Sequence, residues 1–251
     1  MKKFPKKLLP IAVLSSIAFS SLASGSVPEA SAQEKKKGNQ DEIKNVIVLI
    51  GDGMGVSYTS AHRYLKDNKK TKFVAPTTFD QYLVGQQTTY PEDPEQNVTD
   101  SASAATAMSA GIKTYNNAIA VDNDGSEAKT VLEAAKEKGK STGLVATSEI
   151  THATPASFGS HDHSRKNMNS IADDYFDEMV NGKHKIDVLL GGGKSNFDRK
   201  DRNLIKEFKK AGYSYVDNRK DMLKNKDSQV LAYSLTAACL KRLIARRIFL
   251  H

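Results

Sequence analysis

Apolar residues along this chain fall into two kinds of run, and their alternation predicts the fold. Residues 43–50, Ile-Lys-Asn-Val-Ile-Val-Leu-Ile, are β-branched and almost continuously apolar, which predicts a parallel strand buried on both faces. Shorter apolar runs at 142–146, 186–190 and 213–216 predict further strands. Between them, residues 129–138 (closed by Gly139), 168–180 and 201–211 repeat their apolar positions at helical spacing. This β-α-β-α order predicts an α/β protein with a mostly parallel sheet, in one domain of ordinary size and without internal repeats.

Two breaks in the pattern carry candidate chemistry. The run at 43–50 stops abruptly at Gly51-Asp52-Gly53-Met54-Gly55. A carboxylate in a tight glycine turn at a sheet edge suits a cation. It does not suit a dinucleotide, because the third glycine of that fingerprint would fall on Val56. The second break is Val98-Thr99-Asp100-Ser101-Ala102-Ser103-Ala104-Ala105-Thr106-Ala107-Met108-Ser109-Ala110-Gly111. Capping residue types precede ten small residues, and a glycine ends them, so Ser101 is predicted at a helix N-terminus, where an anion is stabilised. Two readings of Ser101 follow: a simple cap on a helix packed against a sheet, or a hydroxyl poised beside an oxyanion.

Taken together, Gly-Asp-Gly-Met-Gly, Thr-Asp-Ser-Ala-Ser-Ala-Ala-Thr-Ala, Thr151-His152-Ala153-Thr154-Pro155-Ala156 and Ser164-Arg165-Lys166 resemble the alkaline phosphatases, in that family's order, from about Asn45 to Leu231. The resemblance implies an α/β fold with a doubly wound, mostly parallel sheet whose C-terminal half is missing here. It implies hydrolysis of phosphate monoesters through a phosphoserine on Ser101, with zinc and magnesium as cofactors. On the same basis Asp52 matches a carboxylate shared by one zinc and the magnesium, Ser101 a zinc ligand as well as the nucleophile, and Thr154 a magnesium ligand. Arg165 matches the arginine that holds two phosphate oxygens, a task its planar fork suits. His152 departs from the aspartate of many members, and imidazole prefers zinc to magnesium, so it is carried as a metal-site residue. Other metal ligands of the family match nothing in this sequence, and Asp52 with Ser101 gives a zinc ion only two of the three or four it needs. The alternatives are an inactive envelope protein, or another superfamily member such as a phosphodiesterase or phosphomutase; the sulfatase motif is absent.

The ends of the chain read differently from its body. Residues 1–32 carry a basic start, an apolar stretch over 8–22 and Ala30-Ser31-Ala32, which together predict a cleaved secretory leader and a destination in the cell envelope or the medium. The apolar stretch is too short for a stable membrane span. A polar linker is predicted over 33–42, ahead of an N-terminal portion of the phosphatase domain over 43–231. The net charge of +8 divides into +3 over 1–32, +4 over 228–251 and +1 between them, so no nucleic-acid-binding face is expected. A homodimer is expected only of a full-length chain.

Residues 232–251 do not continue the Gly-Leu-Phe-Ala-Asp-Gly-Gly-Leu-Pro-like segment expected after Leu231. The codons GGC TTA TTC GCT GAC GGC GGC TTG CCT spell that segment in one frame and Ala-Tyr-Ser-Leu-Thr-Ala-Ala-Cys-Leu in the next, so a frameshifted tail is expected; the alternative is an amphipathic helix over 235–250. The only cysteine, Cys239, falls in this tail and permits no internal disulfide. Two tempting signals are set aside: Gly193-Lys194-Ser195 lacks the first glycine of a phosphate-binding loop, and His161 and His163 read as surface residues of a polar loop.

Overall fold

A computed structural model describes residues 43–233. The expected leader, the linker and everything from Ser234 on, including Cys239 and the 235–250 helix, lie outside the described residues. The chain separates between Tyr82 and Leu83 into two units. Among the described residues, no helix is long and apolar enough to cross a membrane.

In the first unit the run at 43–50 forms no strand. It lies extended and exposed, with Ile43 and Val46 each 81% accessible. This corrects the buried strand expected from its composition. A strand needs lateral partners for its N–H and C=O groups, and no described segment pairs with this one. Asp52 follows in an exposed turn closed by Met54 N–H to the Gly51 carbonyl, with Gly53 at φ 61°; it does not emerge from a sheet edge. Two helices follow, α1 (Val56–Leu65) and α2 (Thr78–Tyr82). Arg63 joins them by donating a forked pair of hydrogen bonds to Asp80, Nε to Oδ2 at 3.0 Å and Nη2 to Oδ1 at 2.5 Å.

The second unit holds the core. Its helices α3 (Ser101–Ala110) and α4 (Val131–Glu137) precede the first strand, β1 (Gly143–Glu149). After β1 come α5 (Ala153–Gly159), α6 (Met168–Asp177) and a two-stranded hairpin, β2 (Met179–Val180) with β3 (Lys183–His184). The main sheet resumes with β4 (Val188–Gly192), then α7 (Leu204–Lys210), β5 (Ser214–Val216), α8 (Arg219–Lys224) and β6 (Val230–Tyr233). Its order is β1-β4-β6-β5, parallel throughout.

Register aligns the apolar side chains in rows. Leu144, Leu189, Leu231 and Tyr215 stand opposite one another across the four strands and belong to the larger core with α5, α6 and α7. Alternate positions Leu190, Val230 and Ala232 point the other way and meet Met222 and Leu223 of α8. Helices therefore cover both faces, as a doubly wound sheet requires, and explain why β4 and β6 read as unbroken apolar runs. Ala232 and Tyr233, expected to begin an aberrant tail, complete β6 and are buried.

Local signals account for most boundaries. Thr130 caps α4 reciprocally with Glu133, and Gly139, at φ 71°, follows its end. The expected helix over 168–180 stops three residues early, because Asn181 (φ 52°) and Gly182 (φ 73°) make the two-residue turn that folds 179–184 into a hairpin. At the close of α5, a Cβ on Gly159 would come within 2.8 Å of the terminal methyls of Ile186 and Leu144, so any other residue would force these core side chains to shift.

Candidate functional site

The small residues of α3 serve close packing. Ala102, Ser103, Ala105, Thr106 and Ser109 are buried against α5, where Ser109 Oγ donates to the Ser157 carbonyl at 2.5 Å and Ser157 Oγ to the Ala102 carbonyl at 3.3 Å. Gly111 ends the helix in the left-handed region at φ 73°. Its start is fixed by Asp100, whose Oδ1 accepts from the backbone N–H of Ala102 and of Ser103, each at 3.0 Å. The Asp100 carboxylate therefore takes two of the N–H groups at the helix tip that would otherwise be open to an anion. Ser101, the first helical residue, is half-buried, and its hydroxyl makes no hydrogen bond among the described residues.

The other oxygen of Asp100 reaches across the fold. Oδ2 accepts from Asn117 N–H at 3.1 Å and from Arg165 Nη1 at 3.2 Å. Arg165 lies in the loop between α5 and α6, 65 positions from Asp100, and its own N–H donates to the Asn117 carbonyl at 2.8 Å. Asn117 holds φ at 79°, a conformation asparagine tolerates better than most residues. Asn116 steadies the same corner, its Oδ1 accepting from Asp100 N–H at 2.9 Å and Ser103 Oγ at 2.8 Å.

His152 caps α5 without using its side chain for the cap; its Nε2 lies 3.2 Å from Arg165 Nη2. Guanidinium nitrogens only donate, so Nε2 accepts and its lone pair is engaged. Among the described residues, two of the five guanidinium N–H bonds of Arg165 are thus used, which leaves three for an oxyanion. Thr154, in the first turn of α5, is half-buried. The second unit therefore unites Ser101, Arg165, His152 and Thr154 around Asp100 and α5, while Asp52 stays in the first unit.

Three participants escaped sequence reasoning. Asp100 carries only a capping signature in the sequence, and nothing in the spacing ties it to Arg165. Asn116 and Asn117 carry no motif, although an asparagine pair before an apolar segment is a turn signal that marks the corner.

A second charged cluster surrounds His161. One ligand atom each from Glu133, His161 and Glu178 lie within 4.8 Å of one another, close enough to hold a metal. A cation is already there, because Lys185 Nζ, wholly buried, is paired with Glu178 and lies 3.8 Å from Glu133. The cluster is therefore ionic rather than a vacant metal centre. His161, expected at the surface, has only 4% of its side chain exposed, whereas His163 is exposed.

Comparison with known proteins decides the family. The family model described as alkaline phosphatase matches residues 43–236. The chain belongs to the alkaline phosphatase family. It is 96% identical over 231 residues to alkaline phosphatase 3 of Bacillus subtilis strain 168, covering 92% of this chain and 50% of that one. Among solved structures, the cold-active alkaline phosphatase of a psychrophilic Shewanella superposes with a TM-score of 0.66 at 41% identity, over 74% of this chain and 44% of the other. A mutant of TAB5 alkaline phosphatase, with Mg bound, gives a TM-score of 0.50 at 34% identity over 59% and 42% of the two chains. The chain is thus an N-terminal portion spanning about half the length of the alkaline phosphatases it matches.

Proposed function

We propose that the protein of which this chain is a part hydrolyses phosphate monoesters, with Ser101 as nucleophile and Arg165 as the group that holds the phosphoryl oxygens. The observation that supports this most is the tether through Asp100, which caps the helix beginning at Ser101 and grips the Arg165 guanidinium. One carboxylate thereby fixes the position of nucleophile and anion-binding group together, and positioning is most of what phosphoryl transfer asks of a protein. In the first step Ser101 Oγ bonds to phosphorus, the bond from phosphorus to the ester oxygen breaks, and the proton lost by the serine hydroxyl ends on that oxygen, which leaves as an alcohol. In the second, water attacks the phosphoserine, the bond from Ser101 to phosphorus breaks, one proton of the water returns to Ser101 Oγ and phosphate departs. Arg165 donates to the equatorial oxygens in both.

The donor set of this chain fits part of a metal site. The carboxylate of Asp52 and the hydroxyl of Thr154 are each magnesium-type donors, whereas the imidazole of His152 would suit zinc only with its Nε2 released by Arg165, and zinc needs more ligands than Asp52 and Ser101 provide. Zinc and magnesium, when bound, would lower the pKa of the serine hydroxyl and neutralise the oxygens of attack and departure. The basic leader and Ala30-Ser31-Ala32 support export to the envelope or medium.

A second reading, an inactive chain that binds phosphate without turning it over, is favoured by the exposed turn that holds Asp52. The test pairs two proteins. In a chain extended to the length of its relatives, assayed on monoesters, diesters and sulfate esters with added zinc and magnesium, monoesters should turn over and Ser101→Ala should abolish it. Undiminished turnover in Ser101→Ala would refute the assignment. The 251-residue chain alone, if the second reading holds, shows no turnover but binds phosphate until Arg165 is changed to alanine.

A further inference from the structure

The cluster around His161 takes no part in the proposed reaction, yet it lies at the root of the loop that carries Arg165. Nδ1 of His161 is 3.3 Å from Glu178 Oε2; Nε2 is 3.3 Å from the Ala128 carbonyl and 3.6 Å from Glu133 Oε2. Every one of these partners is an acceptor. A neutral imidazole has one N–H and one lone pair, so on one side it would aim a lone pair at an oxygen; an imidazolium donates on both.

The surroundings balance that charge. The ring is faced by Glu133 from α4, by Glu178 just past α6 and by Lys185 just past β3; Asp174 of α6 meets the backbone of His161, and its carboxyl accepts from Ser160 Oγ at 2.6 Å. Burial raises the Asp174 pKa above the ordinary carboxylate value. His161 and Lys185 are the two cations that face the carboxylates of Glu133 and Glu178. Losing the imidazolium proton would leave Lys185 as the one cation facing both glutamates in a partly buried cluster, a costly state.

From this anchor the chain runs directly to Arg165. Asp162 exchanges both backbone hydrogen bonds with Ile119, at 2.8 and 2.9 Å, and its Oδ1 accepts from Ser164 N–H and Asn167 Nδ2. Arg165 N–H then reaches Asn117. Residues 161–165 form a short arm, held at one end by the charged cluster and carrying the guanidinium at the other.

We propose that His161 is a positioning residue for Arg165: as a buried imidazolium it pins the arm to α4 and the end of α6, and its deprotonation loosens the grip of Arg165 on an oxyanion. The last clause rests on reading Arg165 as the phosphate-binding group. Burial opposes the charge on His161, but the hydrogen bond to Glu178 and the nearby carboxylates outweigh it, raising the pKa above the ordinary 6.5. The grip is therefore full below about pH 6.5 and is lost as pH rises through the raised value.

The experiment is an NMR titration of the 251-residue chain following the histidine rings and the Arg165 Nε–H, with sulfate, a dianion at every pH used, as the binding probe. The Arg165 signal should move with the midpoint of His161, above 6.5, and sulfate affinity should fall about fivefold or more across the same interval. Both changes should vanish in His161→Gln, while any step due to His152, which also touches Arg165, remains and is removed by His152→Asn. If His161→Gln does not fold, co-titration of Arg165 with His161 in the unaltered chain decides. An Arg165 signal that is flat or follows His152 alone, or a His161 midpoint at or below 6.5, overturns the inference. An Arg165 that tracks His161 without binding sulfate at any pH upholds the positioning role and overturns instead the phosphate-binding reading.

Discussion

Residues 43–50 and the strands β4 and β6 are built from the same kinds of side chain, yet they meet opposite fates. Val46 and Leu49 are 81% and 69% exposed, whereas Leu189 and Leu231 are fully buried. Composition does not separate them; lateral pairing does. Val188 pairs with Val230 and Leu189 with Leu231 in a parallel ladder, so backbone groups are satisfied while both side-chain faces meet helices. The run at 43–50 has no such neighbour among the described residues. The same contrast divides the candidate site: Arg165 is fixed by Asp100, Asn117 and His152, while Asp52 sits in an exposed turn.

The largest effect that would test this contrast is in proteolysis. Local opening free energies run from near zero up to the full stability of a domain, so cleavage at Arg63, Lys66 and Lys69 of the first unit should outpace cleavage at Lys206 and Lys209 on α7 by roughly a thousandfold. Limited trypsin digestion followed by mass spectrometry reads the order of cuts. Equal rates would break the comparison.

A pair of substitutions should give the next largest difference. Phe208 is fully buried and meets Phe176 and Tyr213 edge-on, with ring centroids 4.9 Å apart in both cases. Phe208→Ala should therefore cost about 3–5 kcal/mol in urea unfolding. Phe73, 76% exposed in the first unit, should lose no more than about 0.5 kcal/mol on the same change. A costly Phe73→Ala would show that the first unit has a core of its own.

What the sequence discloses and what it conceals follow the range of the interactions involved. The ten-residue helix from Ser101 with its stop at Gly111 was legible, because caps and stops act within a turn of the chain. So was the parallel sheet, since continuous apolar runs such as Val188-Leu189-Leu190 need burial on two faces. The strand at 43–50 was misread because strand propensity is only a capacity to pair. His161 was misjudged for a related reason: its burial depends on Glu133 and Lys185, residues on either side of it in sequence that only the tertiary fold brings to its ring. The Asp100 link to Arg165 has no local signature.

The smallest effect lies inside the buried unit and turns on sign rather than size. Three tyrosines sit in the same core. Tyr175 donates its hydroxyl to the Ile150 carbonyl at 2.8 Å and Tyr213 to the Ile186 carbonyl at 2.6 Å, whereas the hydroxyl of Tyr233 is buried with no partner among the described residues. A buried polar group without a hydrogen bond costs about 1–3 kcal/mol, and a made bond contributes about 1 kcal/mol net. Tyr233→Phe should therefore stabilise the chain by about 1 kcal/mol, while Tyr175→Phe and Tyr213→Phe destabilise it by a similar amount each. All three remove the same atom, so side-chain volume cannot explain a difference in sign. Parallel urea titrations of the three variants would measure it; a Tyr233→Phe that destabilises like the others would mean that its hydroxyl has a partner after all, and that the end of β6 is held by more than its apolar face.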